Sequence, residues 1–411
     1  MAEFLRSRHL FFFIGLFIFS SCVYAVHIFK VQSILWGDSR YYYAFTRSIV
    51  VDHDLNFDNE AFLPNLGFPN PPLFSPATNR ITNKFSPGAP LLWVPGFVLG
   101  EGLSLIQGYF FPQSELAGYG WLTVWTVGVS ATAFSVGGLY LFFLVLKQKF
   151  GVELSLFSSA VLLLTTQLFF YTAIDPLNSH SASFFISGLL FFLSSKWIFG
   201  QPKSTWVQVG IIGLTAGWLA LIRNQDIIFC IPIGVSMLLK EKKSVENLIK
   251  LGLFGIATFA PLLIQFSFTY YLYGQYSSGY LLGGEQLQWL NPDFGRVLLS
   301  SGNGFFFFAP IVFLFIWGLL KAARRGDRIA QVGTCAFLLA TYVIASWGPE
   351  MLGGPYGSRM FTSILPWLGY GGAALFKEYW PQRQARYAIL LLIFVCLINT
   401  MGQTIYMLLK H

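Results

Sequence analysis

A small set of polar residues in this chain is spaced for chemistry. Asp38 stands in Trp36-Gly37-Asp38-Ser39-Arg40-Tyr41-Tyr42-Tyr43. A carboxylate there can take a proton from a hydroxyl, or it can cap the short amphipathic helix that Tyr42, Phe45 and Ile49 outline. Tyr41 and Tyr42 offer aromatic faces to a sugar ring, or anchor the helix at an interface. Asp175 and His180 lie in Asp175-Pro176-Leu177-Asn178-Ser179-His180, a link so short that both must sit near a lipid boundary. Ionisable groups at that depth are costly and are functional candidates. The plain reading is again a helix cap, from Asp175 or Asn178. Lys84, before Ser86-Pro87-Gly88, can meet a lipid phosphate or snorkel to the surface. Arg223, in Arg223-Asn224-Gln225-Asp226, can bind an anion or pair locally with Asp226. Arg359 ends Gly353-Gly354-Pro355-Tyr356-Gly357-Ser358-Arg359, and a guanidinium suits a phosphate or diphosphate. The run Asp52–Glu60 is rich in carboxylates but lacks the glycine and ligand order of a calcium loop, so it reads as a solvated loop.

The elements that must position these groups are membrane helices. Of 411 residues, 55% are hydrophobic and 11% charged, with 44 phenylalanines. Soluble domains carry about 25% charged residues. A soluble globule, a disordered chain, a nucleic-acid binder and a disulfide-rich secreted domain are thereby excluded. The four cysteines are far apart in apolar stretches and read as buried hydrophobes. The expected fold is all-α, a polytopic helical membrane protein of about eleven transmembrane spans, taken as one unit over 1–411, with juxtamembrane helices in a first outer loop of about 31–119.

The expected spans are Leu10–Phe29, Gly120–Leu146, Leu154–Tyr171, Ser179–Phe199, Trp206–Ile222, Ile227–Leu239, Leu248–Tyr273, Phe305–Leu320, Ile329–Ser346, Met360–Phe376 and Tyr387–Leu408. Ile227–Leu239 is short and reads as tilted or broken. Gly88–Phe111 is apolar but interrupted by Pro90, Pro95, Gly96, Gly100 and Gly102. Laying it on the outer face puts Arg6, Lys147, Lys149, Lys196, Lys240, Lys321, Arg325 and Lys377 on the cytoplasmic side, as the positive-inside rule requires. The N-terminus is then cytoplasmic, and Asp38, Asp175, Asp226, Glu285 and Glu350 fall at the outer edge.

Gly37-Asp38, the Lys84-Phe85-Ser86-Pro87-Gly88 entry to a juxtamembrane helix, Asp175, and the late Gly357-Ser358-Arg359 together resemble the integral-membrane glycosyltransferases of the GT-C superfamily. Protein O-mannosyltransferases and the bacterial aminoarabinose transferases are reference members. Two features depart from the family's pattern: Gly37-Asp38 stands where the mannosyltransferases have an adjacent Asp-Glu pair, and a large C-terminal outer domain, as in oligosaccharyltransferases, is not expected.

The resemblance implies an inverting transfer of a sugar from a polyprenyl-phosphate-linked donor to an acceptor hydroxyl on lipid, glycan or protein, with the active site on the outer face. A bacterial inner membrane is the expected location. Catalytic roles fall to Asp38 and Asp175; Lys84, Arg223, Arg359, His180, Tyr41 and Tyr42 bind substrate. No cofactor is required, though a divalent cation on Asp38, Asp175 and His180 stays open, and no nucleic-acid partner is expected. A lipid-sugar flippase and an O-antigen ligase or polymerase are the alternatives. The flippase would place charges in mid-span, and the ligase would place several bases in the late outer loop, where Gly274–Gly304 has only Arg296.

Overall fold

The computed structural model describes residues 2–31, 35, 37–63, 68, 72–110, 117–200, 203–240, 245–348, 356–357 and 359–410. Trp36, Glu350, Gly353, Gly354, Pro355 and Ser358 lie outside the described residues. Among the described residues the chain is helical, and its only extended contacts are the isolated bridges Phe74–Ile81 and Leu287–Trp347. The helices are α1 Ala2–Val31, α2 Ser39–Arg47, α3 Asp58–Ala61, α4 Gly88–Phe110, α5 Trp121–Phe150, α6 Val152–Leu164, α7 Leu168–Ala173, α8 Ser179–Leu193 and α9 Trp206–Ile222. After them come α10 Cys230–Lys240, α11 Val245–Tyr273, α12 Gly279–Leu282, α13 Phe294–Leu299, α14 Phe305–Phe308, α15 Val312–Arg324, α16 Arg328–Ser346, α17 Leu365–Tyr379 and α18 Arg383–Lys410.

Seven described helices are long and apolar enough to cross a membrane: His9–Lys30, Gly88–Tyr109, Trp121–Phe150, Ser179–Phe199, Val245–Tyr273, Arg328–Ser346 and Arg383–Leu409. This is an integral membrane protein. Several expected spans are broken, for local reasons. Leu154–Tyr171 divides into α6 and α7, where the Thr165 and Thr166 hydroxyls donate to the Val161 and Leu162 carbonyls at 2.6 and 2.7 Å. Such back-bonding bends helices. Phe305–Leu320 divides into α14 and α15 beside Pro310, which has no N–H to give. Ile227–Leu239 begins as the 3-10 turn Asn224–Phe229 before α10.

One end of the bundle gathers cations. Lys149 pairs with Asp327 at 2.9 Å, and Lys321 and Arg325 pair with Glu378 at 2.7 and 2.8 Å. The opposite end carries the first loop and the candidate site. There Thr46 donates to the Pro90 carbonyl of α4, Glu101 accepts from the Gly118 amide and Thr123, Ser104 bonds Thr123 near the start of α5, and Gly96 abuts Ser130 further along α5. Gly88 abuts the backbone of Leu221 and Ile222 at the close of α9.

The first loop is held by a buried ion cluster. Arg47 lies 2.6 Å from Asp52 and 2.7 Å from Glu60, and its Nε donates to the Ala117 carbonyl. Burial lifts the Glu60 carboxyl to about 7, against the pull of Arg47. Asp52, Asp54 and Asp58 are bound to Arg47, Ser48, Asn56 and Asn59, so the run Asp52–Glu60 is a folded tie rather than a bare solvated loop.

Candidate functional site

Gly37 turns the chain between α1 and α2 with φ +55°, a left-handed conformation that glycine adopts without strain. Asp38 follows. Its carbonyl accepts the Tyr41 and Tyr42 amides, but its side chain makes no cap. The carboxylate instead reaches across the fold to Arg359, with Oδ2 2.8 Å from Nη1. Arg359 opens the 3-10 turn Arg359–Ile364, fixed by the Thr362 hydroxyl on the Arg359 carbonyl.

Asp175 does not cap α8 either; the Asn178 side chain accepts from the Ser179 amide at 2.9 Å and does so. Asp175 is 3% exposed. It accepts from Ser39 Oγ at 2.7 Å and from Asn178 Nδ2 at 3.3 Å. Burial raises its carboxyl to about 6, and the two hydrogen bonds oppose that rise. Ser39 is the neighbour of Asp38, so this contact ties the catalytic candidate to the α7–α8 turn. Nothing in the sequence marked that serine.

Arg223 and Asp226 do not form the expected local pair. Arg223 Nη1 donates to Ser179 Oγ and faces His180 Nδ1, both at 3.2 Å, while Nη2 points to Met360 Sδ at 2.7 Å. Asp226 accepts from Ser363 at 2.8 Å. Arg223 is 8% exposed, its Nε has no partner, and it makes no ion pair among the described residues.

Lys84 pairs with Glu285 at 2.8 Å. The late loop clasps it closely: a Cβ on Gly279 would lie 2.5 Å from the Lys84 carbonyl oxygen. The Tyr42 and Tyr280 hydroxyls meet at 2.9 Å. Tyr280 and Trp347 are site residues that sequence reasoning passed over, and Glu285 was placed at the outer edge without a role. Only the glycines around them signalled a close approach.

These elements enclose a cavity of about 170 Å³, lined by Asp38, Lys84, Arg223, Glu285 and Arg359 among others, with Tyr42, Tyr280 and Trp347 as aromatic wall. His180 and Asp175 stand behind it. Tyr41 does not line it; its ring lies 4.5 Å from Phe68 and 5.0 Å from Phe85. Tyr42 does line it, with a ring that is only 1% exposed. Asp38 faces Arg359, Asp175 faces Ser39 and His180 faces Arg223. That arrangement does not fit a cation held jointly by all three, and among the described residues no metal-binding group gathers. The cavity can therefore accept a proton at Asp38 and neutralise an anion at Arg223.

The bundle, with α2 and α4 packed over its site end, has a fold that is represented among solved structures. Solved structures of the archaeal oligosaccharyltransferase AglB from Archaeoglobus fulgidus share it. Its apo form matches with a TM-score of 0.54 at 12% identity, over 99% of this chain and 56% of that one. Its complex with an inhibitory peptide and a dolichol-phosphate matches at 0.50 and 11% identity, over 98% and 56%. The form tethered to an acceptor peptide with the NVT sequon matches at 0.50 and 12%, over 99% and 55%. The chain thus spans little more than half the length of these relatives. No protein-family model matches the sequence, and no curated protein is significantly similar to it.

Proposed function

We propose that this protein transfers a sugar, with inversion, from a polyprenyl-phosphate-linked donor to an acceptor hydroxyl at the outer membrane face. The observation that carries this reading is the single cavity shared by Asp38, Arg359 and Arg223. The acceptor oxygen attacks the anomeric carbon, forming the new C–O bond, while its proton passes to the Asp38 carboxylate. The bond from that carbon to the phosphate oxygen breaks, and the electron pair leaves with the lipid phosphate. Arg223, a buried guanidinium that makes no ion pair among the described residues, stabilises that charge most directly. Arg359 is shared with Asp38, and Lys84 with Glu285, so each meets an anion by loosening an existing pair. The dolichol-phosphate in one AglB complex is a ligand of the chemistry this cavity would take.

The orientation rests on the cluster of Lys149, Lys321, Arg325 and Lys377 at the far end, placed in the cytoplasm by the positive-inside rule. The reading places the chain in a bacterial inner membrane with α4 lying along the outer face. The test is a reconstituted full chain supplied with a radiolabelled short-chain polyprenyl-phosphate hexose. Release of lipid phosphate that depends on Asp38 supports the reading; no release from a folded protein, across a panel of hexoses, rejects it. Maleimide labelling of Gln148→Cys from the cytoplasmic side checks the orientation.

A further inference from the structure

The membrane-length helix α16 runs 19 residues, from Arg328 to Ser346. At 1.5 Å per residue it is about 28 Å long, scarcely the thickness of a hydrocarbon core. It can cross only if its last turn lies inside the membrane. Its exposed residues Cys335, Leu338 and Tyr342 recur at i, i+3 and i+7, so they form one stripe that faces lipid. The Tyr342 side chain tilts toward the helix N-terminus, away from the site end and deeper into the span.

The late loop lays a turn against that stripe. The Gln288 amide donates to the Ser346 carbonyl at 2.6 Å and the Asp293 amide to the Ala345 carbonyl at 2.8 Å, so both limbs of the turn stand at the close of α16. Between them the Asn291 amide returns to the Gln288 carbonyl at 3.0 Å, which leaves Trp289 and Leu290 at the tip. The Tyr342 hydroxyl donates to the Trp289 carbonyl at 2.6 Å, and the two rings stack 6.1 Å apart. The tip therefore lies about one helical turn below the end of α16. Leu290 is fully exposed there, and Trp289 and Phe294 are exposed beside it. Irregular backbone survives at such depth only when its polar groups are satisfied. These hydrogen bonds, and Pro292 with no N–H, meet that need for most of the turn. The charged Asp293 and Arg296 stay at the level of the Ala345 and Trp347 carbonyls that they bind. Just upstream, the Leu287–Trp347 bridge joins the turn to Glu285 and Trp347 in the cavity wall.

We infer that the turn Gln288–Asn291 is a membrane anchor: Trp289 and Leu290 dip into the acyl-chain boundary of the leaflet on the site side and hold the late loop there. The partner is the lipid surface, because the turn continues a stripe that α16 already presents to lipid. A tryptophan and a tyrosine at that depth are the side chains an interface favours. The inference goes beyond the sugar-transfer reading and does not rest on it.

The test uses the full chain in bilayer nanodiscs, with Cys22, Cys230 and Cys335 replaced by Ala and a nitroxide at Leu290→Cys. Electron paramagnetic resonance reads its collisions with oxygen, which concentrates in the bilayer, and with a water-soluble nickel chelate. Leu338→Cys on α16 is the lipid reference, and Asp58→Cys in the first loop is the aqueous one. Oxygen collisions should exceed nickel collisions at Leu290→Cys, as at Leu338→Cys and opposite to Asp58→Cys. A nickel-dominated signal would place the turn in water, and low rates with both reagents would mean that protein covers it; either result overturns the inference. A second chain adds Leu290→Glu and carries the label at Phe294→Cys, where the native ring lies 6.5 Å from that of Tyr342. The charge should shift that label from oxygen toward nickel. No shift in a folded chain would mean that α16 alone holds the turn, and would remove the anchor. Should Leu290→Glu fail to fold, the label at Leu290→Cys decides by itself.

Discussion

Asp38 and Arg359, 321 positions apart in the chain, meet at 2.8 Å in the wall of one cavity. The pair aims the carboxylate, and it keeps Arg359 from acting as a free anion site. A donor phosphate that draws Arg359 away would leave Asp38 ready to take a proton only when the donor is present.

Replacing Asp38 by Asn should lower turnover by about 10²–10⁴-fold, the usual contribution of a general base. Arg359 then loses its counter-charge. The pair is part-exposed, so the loss of stability should fall between the roughly 1 kcal/mol of a surface pair and the roughly 3–5 kcal/mol of a fully buried one. The double variant Asp38→Asn, Arg359→Gln should regain thermal stability but not turnover. Recovery of turnover by the double variant would remove Asp38 as the base.

Donor affinity should depend most on Arg223. Hydrogen bonds to charged groups contribute about 1.5–3 kcal/mol, so Arg223→Gln should weaken binding of a short-chain polyprenyl phosphate by about 10–100-fold. Lys84→Gln should weaken it less, because Lys84 is already matched to Glu285. Titration of each variant by calorimetry ranks them; a larger loss at Lys84 reverses the assignment.

Asp175 gives a pH signature. Its carboxyl is raised from 3.8 to about 6 in the folded protein, chiefly by burial. The native state therefore holds a proton that the unfolded chain has released between those values. Stability should fall as pH rises from about 4 to about 6 and stay level above, by on the order of 3 kcal/mol at most. Asp175→Asn keeps an oxygen for Ser39 and should flatten that slope while retaining most turnover. Asp175→Ala should lose turnover, since Ser39 is released beside Asp38. Equal turnover in the Asn and Ala variants, each compared per folded molecule, would deny Asp175 a positioning role.

The late loop should be sensitive at Gly279. A methyl there would sit 2.5 Å from the Lys84 carbonyl oxygen, backbone that cannot swing aside. Gly279→Ala should lift α12 from Lys84, break the Lys84–Glu285 pair and reduce donor binding, with little change in melting temperature. Gly102→Ala, where a Cβ meets nothing within 4 Å, is the matched control.

The Arg47 cluster should carry stability rather than catalysis. Arg47→Met leaves Glu60 buried without its partner, at a cost of about 3–5 kcal/mol. Proteolysis within 48–63 should quicken, and lipid-phosphate release per folded molecule should persist. Intact resistance to protease would show the cluster to be dispensable.

The sequence by itself determined the membrane class, the gathering of bases at one end, and the identity of most cavity charges. Low charge content and long apolar runs act through hydrophobic burial, which is summed over many residues and survives local detail. Asp38, Lys84, Arg223 and Arg359 stood out because an ionisable group at a lipid boundary is expensive. Partnership was another matter. Whether Asp38 capped a helix or faced Arg359, whether Arg223 turned to Asp226 or to His180, and whether Lys84 snorkelled or met Glu285 all depended on which distant segment arrived beside them. Span integrity was equally hidden, because the hydroxyls of Thr165 and Thr166 and the missing N–H of Pro310 act on single hydrogen bonds within runs that are uniformly apolar. Hydrophobic patterning sets which side of a helix is buried, but a hydrogen bond or ion pair forms only over about 3 Å, and only the tertiary packing brings residues 321 positions apart to that distance.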